Sequence, residues 1–518
     1  MLPLLPVLNG SAAGAPSSRM GRRRAFVLLA VHLVIAAHIT WWLVTRRAIT
    51  PVEPSEAMAF AQQGVVNAGL IFFAAAALLT LVFGRFFCGW ACHLVALQDG
   101  CRWLLLKIGL RPLPLRSRLL RLVPVAAFIY MFLSPYLVRW WRGEPHPGAV
   151  ETEFTTSAFW ESFPGWGVAL ITLAVCGFAT VWFLGSKGFC TYACPYGALF
   201  GAADVFAPGR ILVSDACHGC GHCTAVCTSN VRVHQEVREF GMVVDPGCMK
   251  CMDCVSACPN GALRFGFARP SIFAKRRAPP GDRPAPLSWG EDLLLLAAVG
   301  GTYFATHDLY GRVPFLLAIA LGGIAAFVVW KAWRLLRDAQ GRFSRWVLKR
   351  EGRFTRAGGA FLAASAALLL LLGHSAWVRS RALERNQAFE ELRPWFEAVL
   401  VGGQAPTSAP EPYLTAARTL EERVAAASAI GLLADARNPF ARAWARLAQG
   451  DAEGYEAGMA EMLAQRPGFG EALMQRGLVR YWSGDLAGAR ADFTAISWHD
   501  RRRPEAESFL ADLDRQQG

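Results

Sequence analysis

Charged side chains are scarce in this sequence: 18% of 518 residues, with 39 Asp and Glu against 53 Lys and Arg. Beside 54% hydrophobic residues and a mean hydropathy of +0.29, that shortage excludes an ordinary soluble enzyme. The deficit of acid leaves a net charge of +14, but the basic residues gather beside apolar runs, where orientation in a bilayer explains them, so no nucleic-acid partner is expected. Isolated cysteines are nearly missing as well. Twelve of the fourteen fall in short regular spacings that suit a metal and would strain as local disulfides. Only Cys101 and Cys176 stand outside the pattern, and they read as small apolar packers.

Seven apolar runs have spanning length, over residues 25–45, 65–83, 122–138, 165–184, 293–310, 314–330 and 360–377. Gly300, Gly301 and His307 dilute the fifth. Arg22, Arg23 and Arg24 precede the first run and place the N-terminus in the cytoplasm. Arg102, Lys107, Arg111, Arg116, Arg118 and Arg121 fill the loop between runs two and three. Glu144, Glu151, Glu153 and Glu161 outnumber Arg139 and Arg142 in the following loop. Lys275, Arg276 and Arg277 before run five, and the basic stretch from Lys331 to Arg356 before run seven, keep the same parity. Trp41, Trp42, Trp140, Trp141, Trp160 and Trp166 are expected at the outer interface. The "RRRAFV" stretch resembles a twin-arginine export signal, but the run after it spans and lacks a small-residue cleavage site, which favours an uncleaved anchor.

Cys217, Cys220, Cys223 and Cys227 have the spacing C-x2-C-x2-C-x3-C, and Cys248, Cys251, Cys254 and Cys258 repeat it, the second run ending in Pro259. This is the bacterial ferredoxin pattern for two [4Fe-4S] clusters, in which the fourth cysteine of each run serves the other cluster. By that rule Cys217, Cys220, Cys223 and Cys258 hold one, and Cys248, Cys251, Cys254 and Cys227 the other. Zinc knuckles favour two separated C-x2-C halves and fit the triple spacing poorly. Thr228 replaces the proline that usually follows the first run, which removes no ligand. By parity this insert is cytoplasmic, where reducing conditions keep thiols available.

A second repeat lies beyond runs two and four. "FFCGWACHLVALQDG" and "GFCTYACPYGALFGA" share F-C-x-aromatic-A-C-x-x-x-A-L, with Cys88 and Cys92 standing 102 residues before Cys190 and Cys194. Each copy follows a pair of apolar runs, so the first four runs form a duplicated unit. If the segments stay helical, each pair lies on one face, and two such faces could offer four sulfurs to one centre. A redox dithiol and a soft-metal site on Cys88, Cys92, Cys190 and Cys194 both remain open, as does plain packing.

The order of paired spans, C-x3-C, paired spans, C-x3-C-P and two ferredoxin runs, over roughly residues 20–270, resembles the membrane-bound polyferredoxins of the NapH and NosR type. It is less closely similar to the CcoG/FixG oxidase accessory proteins. The resemblance implies electron transfer between a membrane or flavin donor and a respiratory or maturation partner. The CcoG branch implies copper reduction for oxidase assembly. His93 stands where that pattern has proline, and only about twenty residues precede the first run, too few for a flavin-binding domain of the NosR kind.

Beyond run seven the composition changes, and residues 403–412 read as a flexible stretch. Gly450-Asp451 recurs as Gly484-Asp485, a 34-residue period. Gly477, Gly484, Ala489 and Phe493 look like the packing positions of a tetratricopeptide repeat, with Pro467 and Pro504 near corresponding places. Helices over 414–434 would complete the stack, and parity makes it periplasmic. His32, His38 and His374 fall within apolar runs. The six-residue step puts His32 and His38 on different helix faces, against a shared metal. One could bond a quinol, although interior hydrogen bonding explains them more simply.

The expected fold is mainly α: a polytopic helical membrane protein with a small α+β ferredoxin-like two-cluster insert and a C-terminal all-α TPR-like domain. The expected organisation is a cytoplasmic N-terminus (1–24), a duplicated four-helix membrane unit (25–200), a ferredoxin domain (205–268), a basic Pro-rich linker (269–292), three further spans (293–377) and a soluble TPR-like domain (378–518). The expected role is an electron carrier or oxidoreductase subunit of a bacterial inner membrane, without catalytic residues of its own. It would link a cytoplasmic or quinol donor to a respiratory or periplasmic redox partner, and its repeat domain would take a protein or peptide ligand. The alternative is a metalloenzyme assembly factor that uses the membrane-edge thiols and the docking domain.

Overall fold

The computed structural model describes residues 18–113, 115–145, 150–159, 165–280, 287–403 and 407–517. Trp160, Glu161, the first 17 residues, and parts of the linker and of the 403–412 stretch lie outside the described residues. The structure is mostly helical, 68% helix. Two compact units emerge: one of residues 1–156, 169–300 and 319–367, the other of residues 157–168, 301–318 and 368–518.

Among the described residues, five helices are long and apolar enough to cross a membrane: α1 (Arg19–Thr45), α5 (Leu119–Arg142), α6 (Trp166–Leu184), α10 (Phe315–Arg337) and α11 (Arg356–Gly402). Seven were expected. The second expected span is the shorter apolar helix α2 (Ala68–Phe83), because Asn67 caps it, accepting from the Leu70 N–H at 2.8 Å, while Val65 and Val66 pair instead with Glu151 and Thr152. The fifth, α9 (Trp289–Thr306), carries Glu291 and Asp292 in its first turn, both buried, and does not reach the same apolarity. Asp292 accepts from Arg118 at 2.8 Å, and Glu291 from Trp330 Nε1 at 3.0 Å, so each buried carboxylate is partnered. Trp41, Trp140, Trp141 and Trp166 are exposed along the chain surface; Trp42, expected with them, is buried.

The cysteine pairs do not lie on continuous helices. After α2 the chain forms a short helix α3 (Phe86–Trp90), breaks, and resumes as α4 (His93–Lys107). After α6 it forms α7 (Gly188–Tyr192), breaks, and resumes as α8 (Pro195–Phe206). Cys92 and Cys194 take the extended conformation of an N-cap, which a residue inside a helix cannot adopt. The duplication predicted from the sequence is thus visible as a repeated helix break.

The cysteine-rich insert is small. Strand β1 (Gly209–Val213) pairs antiparallel with β2 (Leu263–Phe267), Ile211 opposite Phe265. Ile211, Val231, Val233, Val237, Val243 and Leu263 fill its core beside Cys223 and Cys254.

In the second unit, α12 (Tyr413–Ala429) leads into two helical hairpins, α13 (Arg437–Ala448) with α14 (Ala452–Gln465) and α15 (Gly470–Trp482) with α16 (Leu486–Ala495), followed by α17 (Arg503–Gln517). The 34-residue period has a local cause. Asp451 and Asp485 cap α14 and α16, accepting from Gly454 N–H at 2.8 Å and Gly488 N–H at 2.9 Å. Fully buried Phe493 packs against Gly477, where a methyl group would already sit 2.5 Å from its ring. Small residue against aromatic is how the paired helices approach.

Buried Arg385 reaches Asp435 at 2.9 Å, and Arg437 bonds the same carboxylate at 2.9 Å. Burial alone would raise the Asp435 pKa, but these two guanidinium groups outweigh it and bring it down to about 2. Its unfolded value is near 3.9, so the stabilisation is complete above about pH 4 and fades as pH falls toward 2, a difference of about 2.5 kcal/mol. Urea unfolding of the full chain in detergent, followed by tryptophan fluorescence, should show Asp435→Asn destabilised at pH 7 by about that amount. The gap to wild type should close near pH 2.

Candidate functional site

The eight clustered cysteines of the insert lie on two loops with one backbone plan. In the first run Gly219 and Gly221 have φ of 77° and 80°; at the same positions of the second run Lys250 and Met252 have φ of 49° and 62°. Left-handed residues between the cysteines turn the chain around a common centre. Glycine does this freely, whereas Lys250 and Met252 each carry a strain of about 1–2 kcal/mol. Lys250 is held there because its ammonium, wholly buried, bonds Asp204 at 2.7 Å.

The structure brings the thiols into two groups. Cys223 has Cys220, Cys217 and Cys258 as its neighbours; Cys254 has Cys251, Cys248 and Cys227, with Cys223 next. Cys258 is thus a neighbour of Cys223, and Cys227 of Cys254. Backbone N–H groups point at the sulfurs: Thr224 at Cys223, Val231 and Ser229 at Cys227, Lys250 at Cys248 and Asp253 at Cys251. Burial pushes the Cys223 thiol up to about 11 and Cys227 to about 12, and raises Cys248, Cys251 and Cys254 as well. Thiols so placed keep their protons at neutral pH until a metal displaces them. Among the described residues, no three His, Cys, Asp or Glu side chains come close enough to hold a single ion. Eight sulfurs in two sets of four, ringed by N–H donors, fit two four-iron clusters, whose corners hold thiolates farther apart than one ion does.

The two groups differ in access. Cys217 and Cys220 are exposed, whereas the second run is covered by the membrane-edge helices. Gly89 of α3 lies against the backbone of residues 249–251: a methyl group there would fall 2.2 Å from the Met249 carbonyl oxygen, so only glycine permits the contact. Trp90 Nε1 donates to the Lys250 carbonyl at 3.0 Å. Arg24, buried at the start of α1, donates to Gly89 O at 3.0 Å and Asp253 at 2.7 Å, and pairs with Asp99. Ser18, which caps α1, bonds Asp253 at 2.6 Å. The start of the first span, the first cysteine pair and the second ferredoxin run form one packed joint.

Cys88, Cys92, Cys190 and Cys194 also come together. Cys194 has Cys190, Cys92 and Cys88 as neighbours, and Gln98 Nε2 donates to Cys190 Sγ at 2.9 Å. Two cations accompany them that sequence reading passed over, Arg85 and Lys187; the 102-residue offset that aligned the cysteines also aligns these two. The histidines in the apolar runs bond backbone carbonyls: His32 to Leu28 O at 2.8 Å, His38 to Ile49 O at 3.0 Å and His374 to Ile430 O at 3.1 Å. Cys101 is buried in an apolar cluster with Leu105 and Val181, the packing role expected of it.

Comparison with known proteins agrees with this geometry. A family described as a 4Fe-4S binding domain matches residues 67–111 and again 166–211, one match on each copy of the repeat. A 4Fe-4S dicluster domain matches residues 216–263. The chain is 28% identical over 187 residues to the ferredoxin-type protein NapH of Haemophilus influenzae, covering 35% of this chain and 62% of that protein. It is 28% identical over 187 residues to the methylamine utilization ferredoxin-type protein MauN of Methylorubrum extorquens, covering 34% and 60%. It is 24% identical over 275 residues to YccM of Escherichia coli, covering 48% and 70%. No solved structure matches the chain. The chain carries 4Fe-4S ferredoxin-type domains and is homologous to the NapH, MauN and YccM proteins.

Proposed function

We propose that the chain is a membrane-anchored iron-sulfur relay, moving electrons between a cytoplasmic or quinol donor and a respiratory or periplasmic redox partner. The observation that carries this reading is the joint at Gly89. One cysteine group is open to solvent at Cys217 and Cys220, and the other is clamped against the start of a spanning helix. Each [4Fe-4S] cluster, once bound, supplies a one-electron centre. Cys217, Cys220, Cys223 and Cys258 would hold the outer one; Cys248, Cys251, Cys254 and Cys227 the inner one. The chain's own part is to fix their separation, exclude water from the inner group and tune both through the N–H groups aimed at sulfur.

The insert would face the cytoplasm, as the arginines around α1 and the basic loop after α4 suggest. The helical hairpins of the second unit would form a tetratricopeptide-like dock for a partner protein in the periplasm.

Three measurements test the proposal. Anaerobically purified protein should contain iron and acid-labile sulfide, and Cys217→Ser and Cys254→Ser should each remove about four iron atoms, one cubane's worth, and a different EPR signal; protein without iron overturns the reading. Gly89→Val should raise amide exchange over residues 249–253 while leaving 217–223 as protected as in wild type. A periplasm-active reporter should be silent when inserted after Phe240 and active when fused to the C-terminus; the reverse pattern sinks the assigned sidedness.

A further inference from the structure

Between α10 and α11 the chain forms a small antiparallel sheet of three strands, β3 (Gly341–Phe343), β4 (Trp346–Arg350) and β5 (Arg353–Phe354). It is fastened to both helices. Buried Lys349 donates to the Leu335 and Leu336 carbonyls at 3.0 and 3.3 Å, closing the last turn of α10. Thr355 donates to the Val347 carbonyl at 2.7 Å and accepts from the Gly358 N–H at 3.1 Å, which caps the first turn of α11. Gly358 lies so close to β4 that a methyl group there would fall 1.9 Å from the Leu348 carbonyl oxygen. Tied to the ends of two helices of spanning length, the sheet stands at the level of the lipid headgroups.

Its charge is one-sided. From Lys331 to Arg356 the sequence has nine Lys and Arg against two acids, Asp338 and Glu351. The turn at Glu351 and Gly352, with φ of 47° and 81°, sets Arg350 directly opposite Arg353. Like charges facing each other across an antiparallel pair destabilise it. Arg118 and Arg334 have carboxylate partners, Asp292 and Glu291, each at 2.8 Å. Among the described residues, no carboxylate pairs with Arg342, Arg350, Arg353 or Arg356, all of them exposed. Apolar side chains stand exposed among these arginines: Leu336 at 59%, Trp346 at 38% and Phe354 at 47%. Trp346 lies on the same face of β4 as Arg350, and its ring carries the Arg345 guanidinium at 5.0 Å. Cations interleaved with exposed apolar groups match a layer of phosphates over acyl chains.

We propose that this sheet is a binding surface for anionic phospholipid, with Arg350 and Arg353 clasping a headgroup phosphate and Trp346 resting at the acyl-chain boundary. A phosphate between the two guanidinium groups replaces their repulsion with charge-assisted hydrogen bonds, for which the planar fork of arginine is well shaped. The site goes beyond the electron relay and holds whether or not the cysteines carry electrons.

Native mass spectrometry of the full chain, released from detergent micelles holding equal amounts of phosphatidylglycerol and phosphatidylcholine, tests this. Wild type should retain phosphatidylglycerol preferentially. Arg350→Gln with Arg353→Gln should lower that preference by about 30-fold, the factor that two cations at a membrane surface supply. In lipid-free detergent this double variant should melt no lower than wild type, because it loses only a repulsion. The rise in melting temperature that phosphatidylglycerol gives wild type should be missing from it. Lys107→Gln with Arg111→Gln removes equal charge from another basic loop, where both side chains are exposed, and should leave the preference unchanged. Equal loss in the two double variants overturns the inference, since bulk charge then explains the binding. So does equal retention of both lipids by wild type, or a lower melting point for the Arg350 and Arg353 variant without lipid. Displacement of the lipid by inorganic phosphate at equal concentration would make this a site for the free anion and overturns it as well.

Discussion

A single buried carboxylate holds the redox half of the molecule together. Asp204, on α8, is fully buried and receives the Arg85 backbone N–H at 3.0 Å, Arg210 at 2.9 Å and Lys250 at 2.7 Å. Those three groups belong to the end of the second apolar helix, the first strand of the insert and the second cysteine loop. Removing one partner of a buried pair typically costs about 3–5 kcal/mol, so each of these elements depends on the same side chain for its place. One carboxylate against two buried cations leaves positive charge in a dry region, and thiolates and their cluster are the natural complement.

The first copy of the repeat has a counterpart. Asp99, on α4, takes Lys187 at 2.5 Å and pairs with Arg24. The carboxylate of the first copy's helix therefore holds a cation from the second copy, while that of the second copy's helix holds backbone from the first. The two carboxylates are not at equivalent positions: counting back 102 residues from Asp204 reaches Arg102. The exchange across the repeat is made from positions that differ in register. Such crossed contacts tie the two halves in a way that neither hairpin could supply alone.

Much of this was legible in the chain. Cysteine spacing carries its own geometry, because three thiols at three-residue steps wrap a compact group, and the expectation that Cys258 joins Cys217, Cys220 and Cys223 came from the ferredoxin pattern. The 34-residue period was equally open, since an aspartate cap followed by small residues has one local solution. Less legible were the helix breaks at Cys92 and Cys194. Nothing in "FCGWACH" forbids a continuous helix, and only the tertiary convergence of two N-termini selects the cap conformation. Lys250 gave no warning of left-handed backbone, because its strain is offset by the contact with Asp204 rather than by any local preference. Two of the seven apolar runs are shorter or more polar than the other five for a similar reason. Hydropathy sees the apolar run over 65–83 and the one over 293–310, but not that two valines pair as strand at one end or that buried acids occupy the start of the other.

The contact at Gly89 joins main chain to main chain, with no side chain between. Side chains hop among rotamers and change the gaps they fill, whereas two peptide backbones in direct contact leave no such freedom. The separation across that seam is set by van der Waals contact between two backbones. The protein can then alter the driving force by exchanging residues around the sulfurs without disturbing the spacing.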